Sequence, residues 1–158
     1  MRQAMERPFA GGEFVMSDVT QPMQVIGVGI DLIEVPRIAR MIDEHGARFL
    51  DRVFTPAEQT YANASPVQRA QRLAARFAAK EAALKALCMG LRQGIAWTDI
   101  ECTHRVDGSP MLSVRGRAEE IAQSMGINAW LVSLTHIQHM AAATVTAGRK
   151  DLKKVDSQ

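Results

Sequence analysis

The sequence predicts an α+β domain in which an antiparallel sheet packs against one long helix. Three observations carry that expectation. Apolar residues alternate at period two over residues 25–32, an alanine-rich helical run fills residues 65–87, and the remainder reads as short strands with one helix among them.

Residues 1–24 hold no sustained periodicity and contain Pro8, Gly11, Gly12 and Pro22, so a flexible N-terminal extension is expected there. The domain proper is expected over residues 25–148, followed by a polar C-terminal tail over 149–158. In the first strand, residues 25–32, Ile26, Val28, Ile30 and Leu32 make one apolar face. The other face carries Gly27, Gly29 and Asp31, a carboxylate beside two missing side chains. Glycine within a strand marks close approach by another backbone or a ligand.

Pro36 suits the first turn of a helix. That helix places Ile38, Ile42 and Phe49 on one side and Arg37, Arg40, Met41 and Arg48 on another, provided Gly46 does not break it. Thr55-Pro56-Ala57-Glu58 has the composition of a capping box and predicts a short helix. Ser65-Pro66 opens the longest helix, running to about residue 87. Strands over 95–105 and 111–115 flank Asp107-Gly108, a hairpin turn signal. A short helix over 116–125 ends at Gly126, and segments 130–135 and 140–147 form another antiparallel pair.

A chain of 158 residues fits one domain, and 47% hydrophobic against 23% charged residues is the balance of a globular protein. With only 5% aromatic residues the core is not generous, which favours oligomerisation to cover apolar strands. A formal charge of +2 gives no argument for nucleic acid. Cys88 and Cys102 have no zinc or disulfide spacing. No apolar run reaches membrane-spanning length and none forms a secretory signal, so no membrane partner and a cytoplasmic location are expected.

The chemistry concentrates in the long helix. Its apolar stripe runs Leu73, Phe77, Leu84, and Glu81 falls where the stripe expects a core residue. An ionised carboxylate left buried and unpaired costs several kcal/mol, so something positive should meet it. A lysine four residues on, Lys85, is one candidate. A metal ion shared with Asp31 is another, since two carboxylates with waters and substrate phosphates make a magnesium site. Taken alone, Asp31 also fits a cap or turn former.

Gly27-Val28-Gly29-Ile30-Asp31-Leu32 with Arg37 six residues after the aspartate resembles the first signature of the phosphopantetheinyl transferases. Arg76-Phe77-Ala78-Ala79-Lys80-Glu81-Ala82-Ala83-Leu84-Lys85-Ala86 resembles their second, more specific signature. Val132-Ser133-Leu134-Thr135-His136 and the alanine-rich segment after it are similar to the C-terminal part of the short bacterial members, the holo-acyl-carrier-protein synthases. The likeness spans residues 25–147 and implies the fold of that family. The helix end, Cys88-Met89-Gly90, and the turn Gly108-Ser109-Pro110 depart from the family's usual Gly-Thr-Gly and Gly-Lys-Pro.

What the resemblance implies is a transfer of 4′-phosphopantetheine from coenzyme A to a serine of apo-acyl carrier protein, releasing 3′,5′-ADP, in support of fatty acid biosynthesis. It implies Mg2+ on Asp31 and Glu81, with Arg76, Lys80, Lys85 and His136 near the coenzyme's phosphates. Asp31, Glu81 and Lys85 are then the catalytic set, and Lys85 stabilises the leaving 3′,5′-ADP. The proton of the attacking serine can go to Glu81, Asp31 or a water on the ion. The face Arg37, Arg40, Met41 and Arg48, which by pattern alone is equally an ordinary solvated face, becomes the landing surface for an acidic carrier, extended by Arg52. A homotrimer with active sites between subunits is implied as well. Trp97 and Trp130 are expected in the core or a subunit interface. Two other classes use the same features: a magnesium-dependent pyrophosphate or nucleotide hydrolase on the two carboxylates, and a non-catalytic module binding an acidic protein or RNA through the arginines.

Overall fold

The structure is a computed structural model that describes residues 22–91 and 93–151. Its elements in chain order are β1 (Met23–Glu34), α1 (Val35–Val53), α2 (Pro56–Asn63), α3 (Arg69–Ala86), β2 (Ile100–His104), β3 (Pro110–Val114), α4 (Gly116–Ser124), β4 (Ala129–His136) and β5 (Met140–Lys150). Single 3₁₀ turns at Pro66–Gln68 and Trp97–Asp99 precede α3 and β2. The flexible extension expected of residues 1–24 lies outside the described residues up to position 21, and β1 already begins at Met23. The expected polar tail likewise lies mostly outside them, while β5 extends to Lys150.

The α+β class holds, with two antiparallel sheets: β1-β5-β4, and the hairpin β2-β3 closed over Asp107-Gly108. Gly108 sits at φ 83°, the left-handed conformation the turn requires. Two expected elements are shorter. The strand expected from residue 95 starts at Ile100, after the 3₁₀ turn at Trp97–Asp99. The long helix opens on the 3₁₀ turn at Pro66 and becomes α-helical at Arg69. Gly46, at φ 53° and ψ −133°, leaves helical geometry, so α1 is two helical segments joined at a kink there and the single helix expected of this region is interrupted.

Alternation in β1 separates two unlike faces. Ile33 and Asp31 share a face with Gly29 and Gly27, and across the register with Ala141, Ala143, Val145 and Ala147 of β5. This inner face lies on α3. A Cβ at Gly27 would come within 2.0 Å of the Ala86 carbonyl oxygen, and one at Gly29 within 1.9 Å of that of Ala82. The glycines are therefore there for close approach of helix backbone, and the buried alanines of α3 and β5 complete the contact. The outer face is apolar and open: Val28, Ile30 and Leu32 are each more than 60% exposed, with Leu131 of β4 beside them.

Candidate functional site

Close packing of α3 on β1 brings Asp31 beside Glu81 and Lys85. The Lys85 ammonium donates to Asp31 Oδ1 at 2.8 Å and to the Ile30 carbonyl at 2.8 Å. Lys85 thus crosses to β1 rather than folding back on Glu81 four residues earlier, which removes the simple helical ion pair as the account of Glu81. Among the described residues no cation lies within ion-pair distance of the Glu81 carboxylate. Partial burial, then the charge of Asp31, push its carboxyl above the usual range; Lys85 and Arg37 pull the other way.

Two half-buried carboxylates whose charges oppose one another, under-compensated by nearby cations, suit a hard cation. Oxygen donors from only two side chains match magnesium, which keeps several waters. No third histidine, cysteine or acidic side chain joins them among the described residues. The donor set fits Mg2+ bound jointly with an anionic substrate.

A groove of about 530 Å³ runs between α1 and α3. Arg37, Met41, Arg48 and Arg52 line its rim, and Phe49, Phe77 and Trp97 its apolar floor. Arg37 belongs both to this rim and to the field acting on Glu81, which puts this end of the groove near the carboxylates, though neither Asp31 nor Glu81 lines it. Arg40 is exposed on α1 but does not line it. Trp97 stacks on Phe77 with ring centroids 4.9 Å apart. The sequence placed Trp97 in the core or an interface; only the 3₁₀ turn before β2 brings it to the groove floor.

Two residues expected at coenzyme phosphates require correction. Lys80 is fully buried, and its ammonium is taken by Glu58 at 2.9 Å, the Trp97 carbonyl at 3.0 Å and the Ile100 carbonyl. Burial pushes it below the usual lysine range, with Glu58 pulling it back. It has no donor left for a ligand. Arg76 is 2% exposed, its guanidinium 4.0 Å from the Tyr61 ring centroid, donating to the Arg72 carbonyl and meeting His104 at 3.3 Å. The reason is helical: residues 76 and 80 lie one turn apart on the side of α3 that faces α2 and β2.

His136 is exposed at the end of β4, in register with Ala141 and through it with Ile33. Two strand spacings put it roughly 10 Å from β1, so the structure does not gather it with Asp31 and Glu81. Sequence reasoning read Glu58 only as a capping-box residue and missed its pairing with Lys80. The capping box is present, with Thr55 N donating to Glu58 Oε2 at 2.8 Å, but the same carboxylate also accepts from Cys102 N at 2.9 Å and holds Lys80. A lysine, Lys80, directly after the Ala78-Ala79 pair of an alanine-rich helix was the signal available. No helix among the described residues is long and apolar enough to cross a membrane.

The sequence profile of the 4′-phosphopantetheinyl transferase superfamily matches residues 27–144. A holo-[acyl-carrier-protein] synthase of Koribacter versatilis is 44% identical over 121 residues, 77% of this chain and 96% of that protein. A holo-ACP synthase from Plasmodium yoelii superposes with a TM-score of 0.72 at 26% identity, covering 83% of this chain and 100% of that one. The Helicobacter pylori holo-[acyl-carrier-protein] synthase, solved in complex with coenzyme A, gives 0.67 at 25% identity over 76% of this chain and 98% of its own.

Proposed function

The chain belongs to the 4′-phosphopantetheinyl transferase superfamily, and from that premise we propose how its residues divide the work. Its activity is that of a holo-[acyl-carrier-protein] synthase: 4′-phosphopantetheine passes from coenzyme A to a serine of apo-acyl carrier protein, supplying fatty acid synthesis and leaving 3′,5′-ADP. The observation that carries the assignment of residues is the meeting of Asp31, Glu81 and Lys85 at the α3–β1 contact.

Asp31 and Glu81 would hold Mg2+, which when bound neutralises charge on the diphosphate and orients the phosphorus under attack. Lys85 is 51% exposed and reaches Asp31 from the solvent side, so its ammonium is free to turn to a phosphate oxygen and stabilise the departing 3′,5′-ADP. His136 would meet the same coenzyme farther along, which the length of coenzyme A permits. Arg37, Arg40, Met41 and Arg48 receive the carrier. Arg37 brings the docked surface next to the carboxylates, and Phe77 and Trp97 offer an apolar seat beneath it. Little covalent work falls to the protein; positioning and fixed charge do most of it.

The open outer face of β1 and β4 supports the trimer implied by the family likeness. A contiguous row of Val28, Ile30, Leu32 and Leu131 on one sheet face is what copies of this chain would cover. Sedimentation should find a trimer that Leu32→Glu dissociates; a monomeric parent rules the assembly out.

The test incubates the protein with Mg2+, coenzyme A and apo-carrier. Gain of the pantetheine mass with 3′,5′-ADP release is expected, whereas phosphate release without carrier would mark a hydrolase. Glu81→Gln should lower turnover about 10²–10³-fold, the scale of several kcal/mol of lost ion-mediated stabilisation, with carrier binding kept. Arg37→Ala and Arg40→Ala should instead slow carrier association and flatten its salt dependence, the difference from the parent shrinking at high salt. The opposite pattern would mark a binding module.

A further inference from the structure

The contact that carries the site is smooth. Where α3 meets Gly27 and Gly29 of β1 it offers Ala82 and Ala86, backbone against backbone, and the half-exposed Lys85 ties it to Asp31 and the Ile30 carbonyl. Such a surface allows close approach but resists sliding and rotation weakly. At about 100° per residue, Ala82 and Ala86 lie some 200–240° round the helix from Lys80, and Glu81 and Lys85 lie between, at about 100–140°. A slip of one residue would carry Glu81 about 1.5 Å along the axis and turn it away from Asp31.

Fully buried directional bonds hold the opposite side. Lys80 reaches Glu58 on α2, the Trp97 carbonyl in the 3₁₀ turn and the Ile100 carbonyl at the start of β2. Glu58 in turn is fixed by Thr55 N and Cys102 N. Both side chains are fully buried. The other polar tethers on this side, Arg76 to His104 and Arg72 to the Tyr61 carbonyl, lie one and two turns farther from Glu81.

We propose that the Glu58–Lys80 clasp is a positioning device: it sets the rotation and axial register of α3 so that Glu81 and Lys85 meet Asp31. The inference rests on the reading of Asp31 and Glu81 as the ion's ligands. Neither clasp residue touches the substrate; they act through Glu81.

The test separates positioning from stability by crossing them. Glu58→Gln keeps an oxygen for the Lys80 ammonium but removes its counter-charge, so register is held while stability falls. Glu58→Gln with Lys80→Met removes both charges, and with them every bond between the two residues, so the pair is more stable than the single variant yet unkeyed. Mn2+ binding is followed by electron paramagnetic resonance with 3′,5′-ADP present, and stability by denaturant titration. Expected is a single variant with Mn2+ affinity close to the parent's and a double variant about tenfold weaker, the usual scale for loss of support behind a ligand. If affinity instead tracks stability, or the double variant binds as the parent does, the clasp is merely structural. Failure of either variant to fold also overturns positioning as its role. A parent that binds no Mn2+ sinks the metal reading instead, which keeps the two failures apart.

Discussion

Lys80 and Lys85 sit five residues apart on one helix, and each holds a carboxylate at nearly the same distance, 2.9 Å to Glu58 and 2.8 Å to Asp31. Their surroundings give them opposite work. The first pair is fully buried, and all three lysine protons and both carboxylate oxygens are engaged within the chain. The second pair is open, with Lys85 51% exposed and an under-compensated Glu81 beside it. A closed pair fixes geometry and has nothing left to give a ligand. An open pair contributes little to the fold and keeps its charges available for a phosphate or an ion. Bond length does not distinguish them; desolvation does.

The largest effect expected is from breaking the closed pair. Lys80→Met leaves Glu58 buried without a counter-charge and should cost about 3–5 kcal/mol in a denaturant titration. A loss below about 1 kcal/mol would mean that water already reaches the pair, and the contrast with Lys85 would dissolve. Gly29→Ala comes next. The added methyl meets the Ala82 carbonyl oxygen at 1.9 Å, so α3 must move off β1. We expect a cost of about 1–3 kcal/mol from overpacking, with turnover falling because Glu81 moves with the helix. Unchanged turnover would show that the carboxylates tolerate a wider gap than the close packing implies. Smallest in stability is Lys85→Met, about 0–1 kcal/mol as for other exposed pairs. Its effect belongs in turnover measured at saturating coenzyme A, which should fall while the unfolding midpoint hardly moves. A midpoint shift as large as that of Lys80→Met would make the two lysines equivalent and remove the distinction.

Much of the fold was legible. Period two in β1, the Thr55–Glu58 capping box, Asp107-Gly108 and the alanine-rich run of α3 are local signals, and each formed where the sequence placed it. The misplaced boundaries were also local in origin. Pro66 converts the first turn of the long helix to 3₁₀ geometry, and the strand expected from residue 95 is delayed by the turn at Trp97–Asp99. The glycines of β1 were legible as marks of close approach, though not what approaches: α3's own backbone at Ala82 and Ala86.

The sequence by itself determined which side chains share a face, because strand and helix periods are properties of the backbone. Asp31 with its glycines, and Glu81 one turn above Phe77, follow from counting residues. It could not determine which of several cations faces which carboxylate, because that depends on elements distant in the chain packing together. Only the tertiary structure decided that Lys80 turns inward to Glu58 while Lys85 turns to Asp31, and that Trp97, packed against the core, also floors a groove. The difference is one of range: periodicity is fixed within a few residues, whereas desolvation of a charge is set by everything folded around it.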